Sequence, residues 1–411
     1  MSYISCLKCT QCRTEYQASS VMNLCTSCNK PVEIVLDLTA IGNTAWYNPE
    51  RSDMWRFGSL LPLDINNAVD RKSIITLNEG NTPLLEYSDY PLAASVGFEL
   101  LVKEEGKAVA GFGSNPTQSF KDRGMSMAVS MARKLGIQRI VVPTQGNAGD
   151  SVTEYGLIGG LEVVVIMPEN TPMPILGKVA AFEKSHPTIH LELVKGTIRE
   201  AAKLMREKYL PAGWFSVATF QEPGWRIEGK KTMGLELAQP KKGGNGWSVP
   251  DVIVYPTGGG TGILGMWKAF DELEQLGKID SKRPRMICVQ SEATPPLVNA
   301  YESGALEPPP VDPGDTVATG LNVAGNVGHF KVLRIVRESR GCAVSVSDQV
   351  ILQTLQEVYR KKGWWISPEG AACIAALTPL SNRGMIRKGD RVVVFNTCSM
   401  EKYFPSLRDL V

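Results

Sequence analysis

The fold of this chain is constrained most by its short apolar runs. These runs end in polar turns, and a helical pattern follows the turns. The run I-V-V at residues 140–142 is followed by a helical stretch at 150–158, and a second apolar run at 161–167 stops before Pro168. Two buried strands joined by a helix form a βαβ unit, whose strands are parallel. The pattern therefore predicts an α/β fold, with loops gathered at the carboxyl ends of parallel strands.

A lysine at a predicted helix start is the first candidate for chemistry. Lys121 lies in the run N-P-T-Q-S-F-K-D-R-G at residues 115–124, whose turn-forming first half predicts a helix that begins near the lysine. The field of a helix start and the charge of Arg123 both disfavour the ammonium form of Lys121. Its neutral amine would be a nucleophile suited to Schiff-base chemistry. The alternative is an ordinary solvated lysine in the first turn of a helix.

A glycine-rich loop follows another apolar run. Residues 251–256 form the run D-V-I-V-Y-P, and apolar residues at helical spacing continue after residue 262. Glycines let backbone amides approach an anion, and a helix start adds its own amides. The loop lacks the Lys-Ser/Thr ending of a nucleotide P-loop and the spacing of a dinucleotide fingerprint, so a cofactor phosphate fits it better than ATP or NAD. The predicted phosphate-binding residues are Gly258, Gly259, Gly260, Thr261 and Gly262.

Together with these two motifs, further segments resemble threonine synthase and its relatives among the fold-type II pyridoxal 5'-phosphate (PLP) enzymes. The similarity covers about residues 5–405. The resemblance implies an α/β fold like that of the tryptophan synthase beta chain, with two three-layer α/β/α domains and the cofactor in the crevice between them. The matching segments are T-L-N-E-G-N-T-P-L at 76–84, P-T-Q-G-N-A-G at 143–149, R-I-E-G-K-K-T at 226–232, S-P-E-G-A-A at 367–372 and V-V-V-F-N-T-C-S-M-E-K-Y at 392–403.

The resemblance also implies roles for particular residues. Lys121 would form the Schiff base with PLP and act as the general base, and the Asn147 side chain would lie over the ring and bond its 3'-oxygen. Thr397 would meet the pyridine nitrogen. A hydroxyl cannot hold the ring protonated as a carboxylate would, so elimination or replacement is expected rather than transamination.

In threonine synthase, phosphate leaves O-phospho-L-homoserine and water adds at Cβ to give L-threonine. By motif position Arg226 would grip the substrate phosphate, and we expect Thr144 and Gln145 to contact the substrate as well. Two enzyme alternatives stay open, β-replacement on O-phosphoserine as in cysteate synthase, and serine or threonine dehydration. A catalytically silent PLP-binding or zinc-mediated interaction protein is a third.

The chain departs from the family pattern near these residues. Gln118 stands where a glycine is usual, and residues 219–225 lack the usual Asn-Ser pair. At the end of the last segment Cys398, Met400 and Glu401 replace Gly, Gly and Leu. These changes indicate either drift at positions around the site or a reshaped site with a changed substrate.

Nine cysteines are unevenly distributed, and five of them lie in the first 28 residues. Cys9, Cys12, Cys25 and Cys28 form two C-x-x-C knuckles, which predict a structural zinc ribbon with a closed four-thiolate site. Disulfides are the alternative, although no secretion signal accompanies them. Cys6 also has C-x-x-C spacing to Cys9, but we prefer Cys9 and Cys12 because Cys6 lies nearer the chain terminus.

The remaining expectations come from length, charge and composition. The predicted domains are a zinc-ribbon-like module at 1–38, a large PLP-binding domain at 39–120 with 230–411, and a smaller α/β domain at 121–229. A formal charge of +2 and a pI near 8.0 favour neither a nucleic-acid nor a membrane partner. We expect a cytoplasmic homodimer that acts on a small phospho-amino acid. The three histidines are expected to be surface or packing residues.

Overall fold

The structure is a computed structural model that describes residues 3–241, 244, 246–309, 311–404 and 407. The chain divides into two compact units. The first unit is Met1–Gly80 with Asn115–Thr232, and the second is Asn81–Ser114 with Met233–Val411. The predicted division into 1–38, 39–120 with 230–411, and 121–229 remains a prediction, and it differs from the two units mainly in residues 39–80.

The strands are short and occur along the whole chain. In chain order they are β1 Ile4–Cys9, β2 Glu15–Tyr16, β3 Val32–Leu36, β4 Leu84–Glu86, β5 Glu99–Glu104, β6 Arg139–Pro143, β7 Glu162–Pro168, β8 Ile189–Val194, β9 Phe215–Ser216, β10 Val252–Pro256, β11 Arg285–Ser291, β12 Ala343–Val346 and β13 Arg391–Asn396.

Helices follow most of the strands. In chain order the α-helices are α1 Leu38–Gly42, α2 Ala68–Arg71, α3 Pro91–Val96, α4 Lys121–Lys134, α5 Asn147–Ile158, α6 Met173–Ser185, α7 Ile198–Leu204, α8 Trp225–Ala238, α9 Thr261–Gln275, α10 Pro296–Glu302, α11 His329–Glu338, α12 Asp348–Lys362, α13 Pro368–Ala375 and α14 Leu377–Asn382. Short 3₁₀ turns cover Met54–Leu60, Thr319–Leu321 and Met400–Lys402, and a π-helical turn covers Met205–Tyr209. Within the described part of the chain, no helix combines the length and the apolar character needed to cross a bilayer.

The first unit contains a parallel sheet with the order β8-β7-β6-β9. Strands β6 and β7 pair in parallel, with Val141 opposite Val164, and α5 connects them. This confirms the βαβ unit predicted around residues 140–167. Both strands are almost wholly buried, as expected for parallel strands covered on both faces.

The first unit also contains a small antiparallel sheet near the amino terminus, with the order β2-β1-β3. Leu7 lies opposite Tyr16 on one side and Ile34 on the other, and it is buried. The Asn23 side-chain amide donates to the carbonyl oxygen of Ser216 at 3.0 Å. This small module is therefore packed against the rest of the first unit.

The second unit contains a sheet with the order β12-β11-β10-β13-β5-β4. All neighbouring strands in it are parallel except β4, which is antiparallel to β5. Because β10 and β13 are parallel neighbours, their carboxyl ends meet at the same edge of the sheet. The glycine loop follows β10 and Thr397 follows β13, so these two predicted elements share that edge.

Candidate active site

Lys121 is the first residue of α4, as the sequence predicts. Its backbone amide donates to the Ser119 hydroxyl at 3.3 Å. The Asp122 carboxylate accepts a hydrogen bond from the backbone amide of Thr117 at 2.7 Å, which closes the turn before the helix. Local side-chain bonds thus hold Lys121 in the positive field of the helix start. Its role as the Schiff-base lysine stays a prediction.

Gln118 lies in the same turn and has a left-handed backbone, with φ of 58°. This conformation costs glycine nothing but strains a residue with a Cβ by on the order of 1 kcal/mol. The geometry explains why a glycine is usual at this position in the enzymes that the chain resembles. The turn keeps its shape with glutamine and carries that strain in the native state.

Asn147 is the first residue of α5 and directly follows the turn after β6. The Thr144 hydroxyl accepts a hydrogen bond from the Gly146 amide at 3.2 Å, which shapes this turn. The Oδ1 atom of Asn147 is buried and has no hydrogen-bond partner within the residues that the structure describes. A buried amide oxygen without a partner is costly unless a ligand compensates for it, so Asn147 fits a cofactor-binding role. Gln145 is half-buried in the same turn.

Arg226 lies in the second position of α8 and is buried. Its Nη1 atom donates to the carbonyl oxygen of Val217, and the Val217 amide donates in turn to Val141 of β6, both at 3.0 Å. Arg226 therefore lies at the sheet edge that carries the Thr144–Asn147 turn. Its Nε atom is buried and unpaired within the described chain, which leaves a donor for an anion.

Glu222 is a buried acid close to Arg226, and sequence analysis gave it no role. It accepts a hydrogen bond from the backbone amide of Arg226 at 3.3 Å, while its Oε1 atom has no partner among the described residues. Burial raises the pKa of Glu222 to about 7, although the charges of Arg226 and Lys230 oppose this. Glu222 lies within the stretch 219–225, which differs from the family pattern.

The glycine loop in the second unit joins β10 to α9, which begins at Thr261. A Cβ atom on Gly258 would lie 2.3 Å from the carbonyl oxygen of Gly320, and Gly260 has a φ of +82°. Both positions therefore require glycine. The first amides of α9 have no partner inside the helix, so they are available to an anion. The structure confirms the strand, loop and helix order that the sequence predicts here, and the loop fits a phosphate group.

A second segment holds the carbonyl groups of this loop. His329, the first residue of α11, donates from Nε2 to the carbonyl oxygen of Gly258 at 2.9 Å. The Asn326 amide donates to the carbonyl oxygen of Gly259 at 3.4 Å. Sequence analysis missed both residues, because nothing in the local pattern links residues 326–329 to the glycine loop.

Thr397 follows β13 and is buried. The neighbouring Cys398 thiol donates to a Glu369 oxygen at 3.7 Å, and Tyr403 donates to the other oxygen of the same carboxylate at 2.7 Å. Burial raises the pKa of Cys398 to about 12, so this thiol stays protonated. Cys398 belongs to the core behind Thr397, as does Met400.

The four predicted zinc ligands come together in the first unit. The Sγ atoms of Cys9, Cys12, Cys25 and Cys28 all lie within 4.8 Å of one another. Three of the sulfur pairs are 3.5 Å apart, close to the edge of about 3.8 Å expected when four thiolates surround Zn²⁺ at about 2.3 Å. The Tyr16 hydroxyl is hydrogen-bonded to the Cys25 sulfur at 3.0 Å, which orients that ligand. The arrangement fits a closed, structural metal site.

Taken together, these features define a class of protein. The chain has an α/β fold with a lysine at a helix start, an unpaired amide oxygen in the turn after a strand, and a glycine loop that fits a phosphate. Enzymes that use PLP are built in this way. The chain matches the family model described as pyridoxal-phosphate dependent enzyme over residues 75–397.

Comparison with known proteins agrees with this match. The chain is 32% identical to the threonine synthase of Methanosarcina acetivorans, across 95% of this chain and 90% of the relative. It is 29% identical to the threonine synthase of Methanocaldococcus jannaschii, across 95% and 91% of the two chains. This chain therefore belongs to the pyridoxal-phosphate dependent enzyme family.

Solved structures show the same fold at lower sequence identity. The processed form of threonine deaminase isoform 2 from Solanum lycopersicum has a TM-score of 0.62 at 20% identity, covering 84% of this chain and 90% of that chain. Maize serine racemase has a TM-score of 0.62 at 17% identity, covering 84% and 97%. The fold is that of the fold-type II PLP enzymes, with the small zinc-ribbon-like module added at the amino-terminal end.

Proposed function

We propose that this protein is a threonine synthase, a PLP-dependent carbon–oxygen lyase that converts O-phospho-L-homoserine and water to L-threonine and phosphate. The observation that carries the proposal is the 32% identity to a threonine synthase across nearly the full length of both chains. The family match establishes the cofactor class, and the relatives named threonine synthase supply the reaction.

The residues that would hold the cofactor are Lys121, Asn147, the loop at 258–262 and Thr397. When bound, PLP supplies an electron sink for negative charge that develops on the substrate carbons. The Lys121 amine, at the start of α4, is the group that takes the proton from the substrate Cα. Asn147 would offer its side-chain amide to the cofactor ring, and Thr397 would offer a neutral hydroxyl to the ring nitrogen.

A phosphorylated substrate needs a cationic partner that can hold two oxygens at once. Arg226 is the candidate, because it is buried, its Nη1 atom is anchored on Val217, and its Nε donor is unused within the described chain. Thr144 and Gln145 lie in the turn beside Asn147, where they can orient the rest of the substrate. Burial raises the pKa of Glu222, next to Arg226, to about 7, so this carboxyl is partly protonated near neutral pH and repels a phosphate dianion less than an ordinary glutamate would.

The proposal also includes the compartment, the oligomeric state and the role of the metal. The enzyme works in the cytoplasm as a homodimer, without a nucleic-acid or membrane partner, and its near-neutral formal charge of +2 supports this view. The zinc ion has a structural role, since four thiolates leave no open position for a substrate.

A substrate panel tests the reaction. Purified protein is incubated with O-phosphohomoserine, with O-phosphoserine plus sulfite, and with unphosphorylated threonine, while phosphate, ammonia and amino-acid products are measured in parallel. The proposal predicts threonine and phosphate in equal amounts from O-phosphohomoserine, and Lys121→Ala is the matched inactive control. Turnover of O-phosphoserine alone would instead indicate β-replacement, and ammonia from threonine alone would indicate a dehydratase.

A further inference from the structure

A second lysine lies beside Lys121 within the first unit. The Lys230 side chain is 0% exposed, and its Nζ atom donates to the carbonyl oxygen of Phe120 at 3.0 Å. Phe120 directly precedes Lys121, and it is the residue from which α4 begins. The bond therefore fixes the orientation of the peptide group that leads into Lys121.

The two amines also share one aromatic ring. The Nζ atom of Lys121 lies 4.4 Å from the centroid of the Phe120 ring, and the Nζ atom of Lys230 lies 4.5 Å from it. A ring face attracts a nearby cation, whereas two cations this close to one ring repel each other. The Phe120 ring is therefore a common neighbour of both amines.

The backbone of α4 makes room for the second amine. A Cβ atom on Gly124 would lie only 2.6 Å from the Nζ atom of Lys230. Any larger residue at Gly124 would push the amine away from Phe120. The position of Lys230 is therefore built into the packing of α4 against α8.

The charge of Asp122 favours a proton on Lys230, but larger effects oppose it. Burial lowers the pKa of Lys230 well below its ordinary value, and the charges of Lys121 and Arg226 lower it further. A neutral amine still donates hydrogen bonds, so the bond to the Phe120 carbonyl does not depend on a charge on Lys230.

We propose that Lys230 is a positioning residue for Lys121, which holds the Phe120–Lys121 peptide through its hydrogen bond and places a second amine beside the first. This inference rests on the proposed function, in which Lys121 is the Schiff-base lysine. Lys230 keeps the Lys121 amine oriented through the peptide group that precedes it.

The test measures how fast cofactor-free protein binds PLP covalently at different pH values, from the visible absorbance of the bound cofactor. Lys230→Met removes the hydrogen bond to the Phe120 carbonyl, whereas Lys230→Gln keeps a donor at the same position. For Lys230→Met we expect a roughly tenfold slower rate at every pH, since the peptide group that leads into Lys121 loses the bond that orients it. Lys230→Gln should recover most of that rate.

Two further variants separate positioning from general stability. Gly124→Ala leaves Lys230 in place but displaces its amine, so it should reproduce the effect of Lys230→Met. Lys231→Met removes the neighbouring buried lysine, which is paired with Glu228 at 2.6 Å, and should lower stability without slowing the binding of PLP.

A rate in Lys230→Met equal to that of wild type would overturn the inference, as would an equal slowing in Lys231→Met. If the methionine variant does not fold, Gly124→Ala decides, and an unchanged rate in that variant would overturn the inference. Wild-type protein that forms no adduct at Lys121 would refute the proposed function instead, so the two failures are distinguishable.

Discussion

His329 donates a hydrogen bond from its Nε2 atom to the carbonyl oxygen of Gly258, over 2.9 Å. Because a carbonyl can only accept, the imidazole carries its hydrogen on Nε2, and its buried Nδ1 atom is bare and unpaired within the part of the chain that the structure describes. Burial lowers the pKa of His329 to about 4, so the ring stays neutral. A neutral histidine can hold the glycine loop without adding a charge to the phosphate site.

Replacing His329 with phenylalanine should weaken PLP binding roughly tenfold. The substitution leaves the Gly258 carbonyl buried without its donor, which costs about 1–2 kcal/mol in holding the loop. The dissociation constant of PLP, measured by fluorescence titration of cofactor-free protein, reports the change. His190→Phe is the control, because His190 is 41% exposed and pairs with Glu162 far along the chain from this loop. Equal affinity in wild type and His329→Phe would contradict the account.

Removing one thiolate should empty the metal site of the amino-terminal module. We expect purified wild-type protein to contain about one zinc ion per chain, and Cys25→Ser to contain far less and to unfold at a lower temperature. Cys6→Ser should keep its zinc, because the cluster of four sulfur atoms consists of Cys9, Cys12, Cys25 and Cys28. Elemental analysis by mass spectrometry with thermal unfolding measures both effects. Loss of zinc from Cys6→Ser would show that the ligand set is wrong.

Glu222 should make the fold less stable as the pH rises. The pKa of Glu222 is raised from 4.5 to about 7 in the folded state. Its contribution to the stability of the fold is therefore complete below about pH 4.5 and is lost as the pH rises through 7. The Glu222→Gln side chain cannot ionise. The free energy of unfolding of this variant should therefore exceed that of wild type by on the order of 3 kcal/mol at pH 8 and by almost nothing at pH 4. Urea unfolding of both proteins at the two pH values measures the difference. The exposed Glu302→Gln is the control, and the same pH dependence in Glu222→Gln and wild type would refute the prediction.

The local parts of the fold were predictable because they depend on neighbours in sequence. The run at 140–142 lies within β6, and the run at 161–167 overlaps β7, which begins at Glu162 and includes Pro168. The glycine loop lies between a strand and a helix as predicted. The helix predicted at 150–158 begins instead at Asn147, because the chain enters α5 directly after the extended Gly146.

Contacts between distant segments were not predictable from the same patterns. The bond from His329 to Gly258 joins residues 71 positions apart, and that from Lys230 to Phe120 joins residues 110 positions apart. Such contacts depend on how helices pack against the sheets, which local periodicity does not specify. The four cysteines are the exception, since their C-x-x-C spacing alone indicated a cluster that the structure brings together.

Arg226→Ala should raise KM for O-phosphohomoserine by at least about tenfold while leaving PLP affinity nearly unchanged. The substitution removes a guanidinium that can hold two phosphate oxygens, and charged hydrogen bonds of this kind contribute about 1.5–3 kcal/mol each. Steady-state kinetics and cofactor titration on the same preparation give the two numbers. Equal losses of substrate and cofactor binding would indicate that Arg226, through its bond to Val217, only supports the fold.

Mapping the lysine that carries the cofactor tests the central claim most directly. PLP-loaded protein is reduced with sodium borohydride, digested, and analysed by peptide mass spectrometry. The account predicts a phosphopyridoxyl group on the peptide that contains Lys121, and none in Lys121→Ala, which should still fold. A label on Lys230, or on any lysine other than Lys121, would contradict it.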